Sequence, residues 1–355
     1  MSCHHLVAYL PDLRLVGSLD QDGTDNWRSP LARAAEGGYR LCQNYTNESI
    51  CNWAVAAADE SPLCVSCRLT RVIPDLADPA KRASWYRLEV AKRRLLFTLM
   101  ELGVPILNRL DDPERGLTFE FLADGETPVM TGHAEGVITV NIAEADDPER
   151  ERRRTTMHEP YRTLLGHMRH ESGHYYWDRL IAPTPEIDEF RSLFGDERTD
   201  YAAALSTYYE RGAPADWQER FVSAYESSHP WEDWAETWAQ YLHMIDTLET
   251  AAASGLSLTP RRRDEPTARA IPQPVLPRLA AFTELIDSWF PLTYVLNNLN
   301  RGLGHADAYP FVLSPSAVAK LKFVDDLIGR AKIGGSTDTP GRKSTALKSR
   351  LIKPS

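Results

Sequence analysis

The 355-residue sequence predicts an α+β fold: a small mixed sheet, a helix with a metal-binding signature and a second helix that completes its site. A cysteine-bearing module precedes this core and a helical subdomain follows it. Three observations carry the prediction. Short β-branched runs fall between Leu117 and Ile142. Helical periodicity runs from Asp78 to Leu102 and again from Asp147 to about residue 255. Four of the five cysteines crowd into Cys42–Cys67.

The composition, 43% hydrophobic and 25% charged, is that of a globular protein and excludes a disordered or collagen-like body. A formal net charge of -10 argues against nucleic acid as principal partner, since phosphate binding needs a basic footprint. No eighteen-residue apolar run occurs, so neither a membrane span nor a membrane partner is expected. The start, Met-Ser-Cys-His-His-Leu-Val, lacks a basic stretch leading into an apolar one, which points to the cytoplasm. An odd cysteine count there fits metal ligands or free thiols better than disulfides.

Along the chain, residues 1–34 are rich in turn formers without a sustained period. Asp78-Pro79 opens a helix whose stripe is Trp85, Leu88, Ala91, Leu95, Leu96, Leu99 and Leu102, with Lys92, Arg93 and Arg94 mostly off it. Gly103 and Pro105 end it. Leu117–Leu122, Pro128–Thr131 and Gly136–Ile142 read as strands, and Thr131-Gly132-His133 as a turn. The chain is then mostly helical, divided by prolines at 160, 183, 185, 214 and 230. A stretch with three consecutive arginines, 256–274, reads as a linker or long loop, followed by helices near 276–300 and 314–330. The Gly-, Ser-, Thr- and Lys-rich residues 333–355 read as a disordered basic tail.

The chemistry centres on His170-Glu171-Ser172-Gly173-His174. On a helix, positions i and i+4 share a face, so both imidazoles can hold one zinc ion. Glu171 is offset by about 100°, beside the metal's open position, where it can take a proton from water. This spacing predicts a zinc-dependent hydrolase with a peptide or protein substrate. His167, three residues before His170, is either a packed helical histidine or a neighbour that orients a ligand. His133 is either a surface turn residue or a border of the cleft.

Two histidines leave a catalytic zinc one protein ligand short, and a further histidine six residues after His174 is absent, because that position is Leu180. A second helix, beginning near Pro230, must supply it. There Glu232 and Glu236 share one face, so one can bind zinc while the other accepts a hydrogen bond from a ligand histidine. The order of preference for the third ligand is Glu232, Glu236, then Asp233 and His229. Acidic residues in a first helical turn also suit the helix dipole without any metal.

Cys42, Cys51, Cys64 and Cys67 form a second constellation. Cys64-x-x-Cys67 has zinc-knuckle spacing, whereas Cys42 and Cys51 stand farther apart than usual. A structural zinc is favoured, which makes two zinc ions per chain, one catalytic and one structural.

From about residue 35 to 330 the sequence resembles the bacterial zinc-binding metallopeptidase family that carries an N-terminal zinc ribbon. The phrases that carry this include Cys51-Asn52-Trp53, Cys64-Val65-Ser66-Cys67-Arg68-Leu69, Ile73-Pro74-Asp75-Leu76 and Thr131-Gly132-His133. Glu144-Ala145-Asp146, Glu159-Pro160-Tyr161-Arg162-Thr163-Leu164-Leu165-Gly166-His167 and His229-Pro230-Trp231-Glu232-Asp233-Trp234-Ala235-Glu236 continue it. The resemblance implies a four-cysteine ribbon over 35–76, a zincin-like catalytic core over 77–255 and a C-terminal helical subdomain over 275–332. Family relatives carry more Cys-x-x-Cys pairs upstream; here Cys3-His4-His5 stands in their place, so 1–34 reads as the remnant of a truncated first ribbon. The second helix also resembles gluzincins of the anthrax lethal factor type. That implies Glu232 as ligand, Glu236 as the carboxylate behind a ligand histidine, and Tyr225 as an oxyanion donor. Two rival readings are a zinc-stabilised binding protein with a vestigial site and a zinc hydrolase of non-peptide amides.

Overall fold

A computed structural model describes residues 5–31, 33–156, 163–267 and 281–335. The strands, in chain order, are β1 (Leu6–Leu10), β2 (Leu15–Gln21), β3 (Trp27–Arg28), β4 (Tyr39–Leu41), β5 (Ala54–Ala56), β6 (Thr70–Val72), β7 (Thr118–Leu122), β8 (Gly132–Ala134) and β9 (Val137–Asn141). The α-helices are α1 (Gln43–Thr46), α2 (Pro79–Leu102), α3 (Asp147–Thr156), α4 (Leu164–Leu180), α5 (Glu186–Phe194), α6 (Tyr201–Arg211), α7 (Trp217–Arg220), α8 (Pro230–Ala253), α9 (Phe282–Gly302) and α10 (Pro315–Gly335). The fold is α+β, with a small mixed sheet, a cysteine-bearing sheet region before it and helices after it. No helix among the described residues is long and apolar enough to cross a membrane.

Residues 1–34, without a sustained period in the sequence, contain three strands. They continue the antiparallel order β1-β2-β3-β4-β5, so this segment and the cysteine-bearing one build a single sheet. A bridge between Tyr9 and Trp53 brings its two ends together. Ala8, Leu10, Leu19, Tyr39 and Ala54 give it a small core. The strands are short and the alternation is broken by turns, which is why no period shows. Cys3 and His4 lie outside the described residues.

The second sheet has the order β6-β7-β9-β8, parallel except for β8 against β9. The expected strand at Pro128–Thr131 is absent. The Asn141 side chain donates to the Val129 carbonyl at 3.0 Å, and the Asn141 N–H donates to Thr131 Oγ1 at 3.2 Å, in place of a ladder. The strand lies instead at Gly132–Ala134, read as a turn. The true turn is Glu135-Gly136, with φ of +48° and +82°, the positive pair that a tight hairpin requires. Glu at the first of these positions is not a residue that signals such a turn.

Helix α2 begins as its sequence dictates. Asp78 accepts the Ala80 N–H, Pro79 fills the first turn, and Gly103 at φ +70° closes it. Its apolar stripe is buried from Trp85 to Leu102. Lys92 and Arg93, expected mostly off that stripe, are buried as well. Glu89 makes this possible for Lys92, at 2.8 Å, since a buried cation needs a paired anion.

One hydrophobic cluster joins the cysteines, α2, the mixed sheet, α4, α8 and the last two helices, with Trp289 of α9 and Phe323, Val324 and Ile328 of α10 inside it. Helix α10 reaches Gly335, into the stretch expected as tail; residues 336–355 lie outside the described residues, as do 268–280 of the expected linker and helix start. Lys320 of α10 clamps α8 by an ion pair to buried Asp233 at 2.6 Å and donates to the Arg220 carbonyl at 2.9 Å. Lys320→Met is expected to cost about 3–5 kcal/mol in urea unfolding, because it strands a buried charge. Lys320→Met/Asp233→Leu should recover most of that loss; a double variant no better than the single one would contradict this account.

Candidate metal centre

The centre forms where α4 crosses α8. Thr163 caps α4 by accepting the Gly166 N–H at 3.0 Å, and His229 caps α8 by accepting the Trp231 N–H at 3.1 Å ahead of Pro230. At Gly173 a Cβ would lie 2.8 Å from the Ala235 Cα, so glycine there lets the two backbones approach closely. Trp234 Nε1 donates to the Gly173 carbonyl at 2.8 Å and Trp238 Nε1 to Ser172 Oγ at 3.1 Å. The two residues between Glu171 and His174 thus set how the helices dock.

This docking places Glu232 against both histidines. His170 Nε2 and His174 Nε2 are 3.2 Å apart. Glu232 Oε2 is 3.1 Å from the first, and Glu232 Oε1 is 3.5 Å from the second. All three residues are buried, and one potential ligand atom from each lies within 4.8 Å of the others. Two imidazole nitrogens and a carboxylate oxygen are a donor set that zinc accepts, so these residues fit the ion.

The electrostatics follow from burial. Burial pushes His174 down to about 3, leaving it neutral with a lone pair to give. For His170 burial acts the same way, but Glu232 and Glu236 outweigh it and hold the imidazole well above its usual range. Burial would raise Glu232, yet the two histidines keep its carboxyl below the usual carboxylate range. Glu236 Oε1 lies 2.7 Å from His170 Nδ1, which fixes the ring with Nε2 toward Glu232.

The other expected residues are placed as follows. Asp233 is committed to Lys320, and His229 to its cap and the Thr199 carbonyl at 3.1 Å, so neither stands with the histidine pair. His167 faces Glu144 at 3.7 Å, while the carboxylate bonded to His170 Nδ1 is that of Glu236. Glu171 is buried and acts electrostatically on Tyr201. Tyr225 sits in a 3₁₀ turn ahead of α8, its ring 6.4 Å from that of His170. Burial, then the Glu232 charge, drives its hydroxyl far up, so it remains a donor. His133 on the edge strand β8 is held neutral by burial, at about 4, and lies near enough to His174 to act on its charge.

Tyr201 escaped the sequence reading. It opens α6 and donates its hydroxyl to Glu232 Oε1 at 2.7 Å. No local pattern connects it with Glu232, because α6 and α8 are separated by a further short helix. Trp231 also lies beside the site, its ring 5.0 Å from that of His174.

The cysteines form the second cluster. Sγ atoms of Cys42, Cys51, Cys64 and Cys67 lie within 4.8 Å of one another, all buried and none in a disulfide. Backbone N–H groups of Trp53, Cys64 and Cys67 point at the sulfurs of Cys51, Cys42 and Cys64, at 3.3–3.4 Å. Such donors favour thiolates, the form that binds metal. The wide Cys42–Cys51 spacing is bridged by α1 and the loop after it.

Sequence comparison bears on both clusters. Residues 81–327 match the family described as "Putative zinc-binding metallo-peptidase", and residues 1–78 match a zinc-ribbon domain. That ribbon match extends across the 1–34 segment. Proteins described as uncharacterized from Mycobacterium bovis and Mycobacterium tuberculosis are 44% identical over 299 residues, spanning 84% of this chain and 85% of theirs. No solved structure matches.

Proposed function

The chain belongs to this zinc-binding metallopeptidase family with a zinc-ribbon domain, and from that premise we propose that it is a zinc-dependent peptidase of the gluzincin type. The observation that carries the proposal is the buried meeting of His170, His174 and Glu232, with Glu171 one residue from the first histidine. These three residues would hold the catalytic ion, and the four cysteines a structural one, giving two per chain. Zinc supplies Lewis acidity at the scissile carbonyl.

The remaining roles fall to the chain's own groups. The Glu171 carboxylate takes a proton from the attacking water and returns it to the leaving amine nitrogen. Glu236 accepts from His170 Nδ1 and keeps its Nε2 directed at the centre. The Tyr225 hydroxyl, kept protonated by burial and by the Glu232 charge, is the donor for negative charge developing on the carbonyl oxygen, while the Tyr201 hydroxyl donates to Glu232 and holds that carboxylate in place. His133 borders the cleft from the sheet's edge, where an extended substrate can pair. Unbridged cysteines support a reducing, cytoplasmic compartment.

The test is cleavage of a broad peptide library, read by mass spectrometry, with wild type beside chelator-stripped protein. Cleavage that disappears on stripping and returns with zinc supports a peptidase. Activity confined to small non-peptide amides would replace it with an amidase. Inertness toward both would favour the binding protein. Glu232→Gln should lose the catalytic ion, whereas Glu236→Gln should weaken metal affinity by roughly 10–100-fold. Equal zinc retention in the two variants would show that the ligand roles are misassigned.

A further inference from the structure

Between the β1–β2 hairpin and the outer face of α2 runs a groove of about 720 Å³, which borders the ribbon at Ser49–Trp53 and takes no part in the His170–Glu232 centre. Three arginines, Arg14, Arg93 and Arg94, line it, and no carboxylate does, in a chain whose net charge is -10. Arg94 is already paired with Asp246 at 2.7 Å. Arg93 is not satisfied in that way. It is 6% exposed, and Glu89, the anion it faces, lies 3.8 Å away and is matched more closely by Lys92 at 2.8 Å. Two buried cations therefore share one carboxylate, and Arg93 Nη1 makes no hydrogen bond within the protein.

A second donor lines the same groove. The Tyr9 hydroxyl, on a residue 4% exposed, also lacks a hydrogen-bond partner within the protein. Burial first, with Glu101 adding to it, pushes its pKa to about 12, so the group keeps its proton. Buried donors without acceptors are costly, so each of these two groups on the groove wall favours an acceptor brought to it. Around them the walls are apolar. Tyr86 and Val90, one turn apart on α2, are 48% and 44% exposed, and Val16 of the hairpin is 62% exposed. Four aromatic rings line the groove, but Tyr9 and Trp53 are buried and pack on each other at 4.5 Å and Phe97 meets Tyr9 edge-on, so Tyr86 is the exposed ring, less than the stacked platform that single-stranded nucleic acid uses.

The geometry points to this groove as a docking site for an acidic peptide segment of a partner protein, its carboxylate bound by Arg93 and Tyr9 and its flanking apolar side chains laid on Tyr86, Val90 and Val16. Its volume is of the size that holds a short segment rather than a domain. The proposal stands apart from the peptidase reading, because none of the groove residues belongs to the His170–Glu232 centre; Cys51, on the groove wall, is shared only with the cysteine cluster.

The experiment is fluorescence anisotropy on the full chain, with a fluorescein-labelled peptide that alternates Glu with Leu and Val. Its Gln-for-Glu counterpart and a labelled oligothymidylate serve as competing probes. The acidic peptide should bind at least about tenfold tighter than the Gln version, more weakly as salt rises. Arg14→Glu and Val90→Glu, both surface changes that leave the buried network intact, should each weaken binding by at least about tenfold. Arg93→Gln should do so as well, with an unchanged circular dichroism spectrum showing that it folds. Equal binding of the Glu and Gln peptides, no binding of either, or indifference to Arg14→Glu and Val90→Glu would overturn the proposal. Preference for the oligothymidylate would replace it with a nucleic-acid site.

Discussion

Glu171→Gln is expected to fold, keep its full zinc content and lose hydrolytic activity by at least ~10²-fold, the contribution of a missing general base. The substitution keeps size and much of the hydrogen bonding and removes basicity alone. Glu171 is buried, next to His170 in sequence, and its charge acts on the hydroxyl of Tyr201, which is bonded to Glu232. It is not one of the three residues that meet around the prospective ion, and zinc retention should be indifferent to it. Library cleavage and elemental analysis on the same preparation separate the two effects. Equal cleavage by wild type and variant would mean a contaminating activity or a misassigned base; loss of zinc would mean that Glu171 is a ligand.

The second large effect concerns the cysteines. Purified protein is expected to carry about two zinc ions per chain, falling to about one in Cys64→Ser/Cys67→Ser and to about one in His170→Ala/His174→Ala. The consequences for folding should differ. The cysteine sulfurs are part of the main hydrophobic cluster, between the five-stranded sheet and α2, and they are not bridged. Zinc bound by such a cluster contributes folding free energy directly, on the order of 10 kcal/mol in small zinc modules. The cysteine variant should therefore unfold at much lower urea and lose the near-ultraviolet signal of Trp53, while the histidine variant keeps its core. A chain with one zinc that survives the cysteine changes would remove the structural ion.

Much of this was readable because it is local. The His170–His174 pair follows from helical geometry alone, and so does the shared face of Glu232 and Glu236. Asp78-Pro79 and His229-Pro230 announce helix starts by their capping chemistry. The α+β class follows from the change of period between Leu117 and Asp147. By contrast, β8 was misplaced because its turn uses Glu135 at positive φ, which composition does not signal. The strands of residues 6–28 were missed because each is short and is stabilised by its neighbours rather than by its own pattern.

The sequence by itself determined the ligand types, their spacing along two helices and the cysteine set, since each depends on residues within a few turns of chain. The tertiary structure decided which groups meet. Close approach of α4 and α8 at Gly173 and Ala235 sets Glu232 against both imidazoles and Glu236 behind His170. Lys320, from α10, draws Asp233 away to a different partner. Tyr201 arrives from a helix with no sequence link to the site. Periodicity tells which face of a helix a residue occupies; the partner on that face is chosen by packing between distant segments, and that choice depends on the whole core.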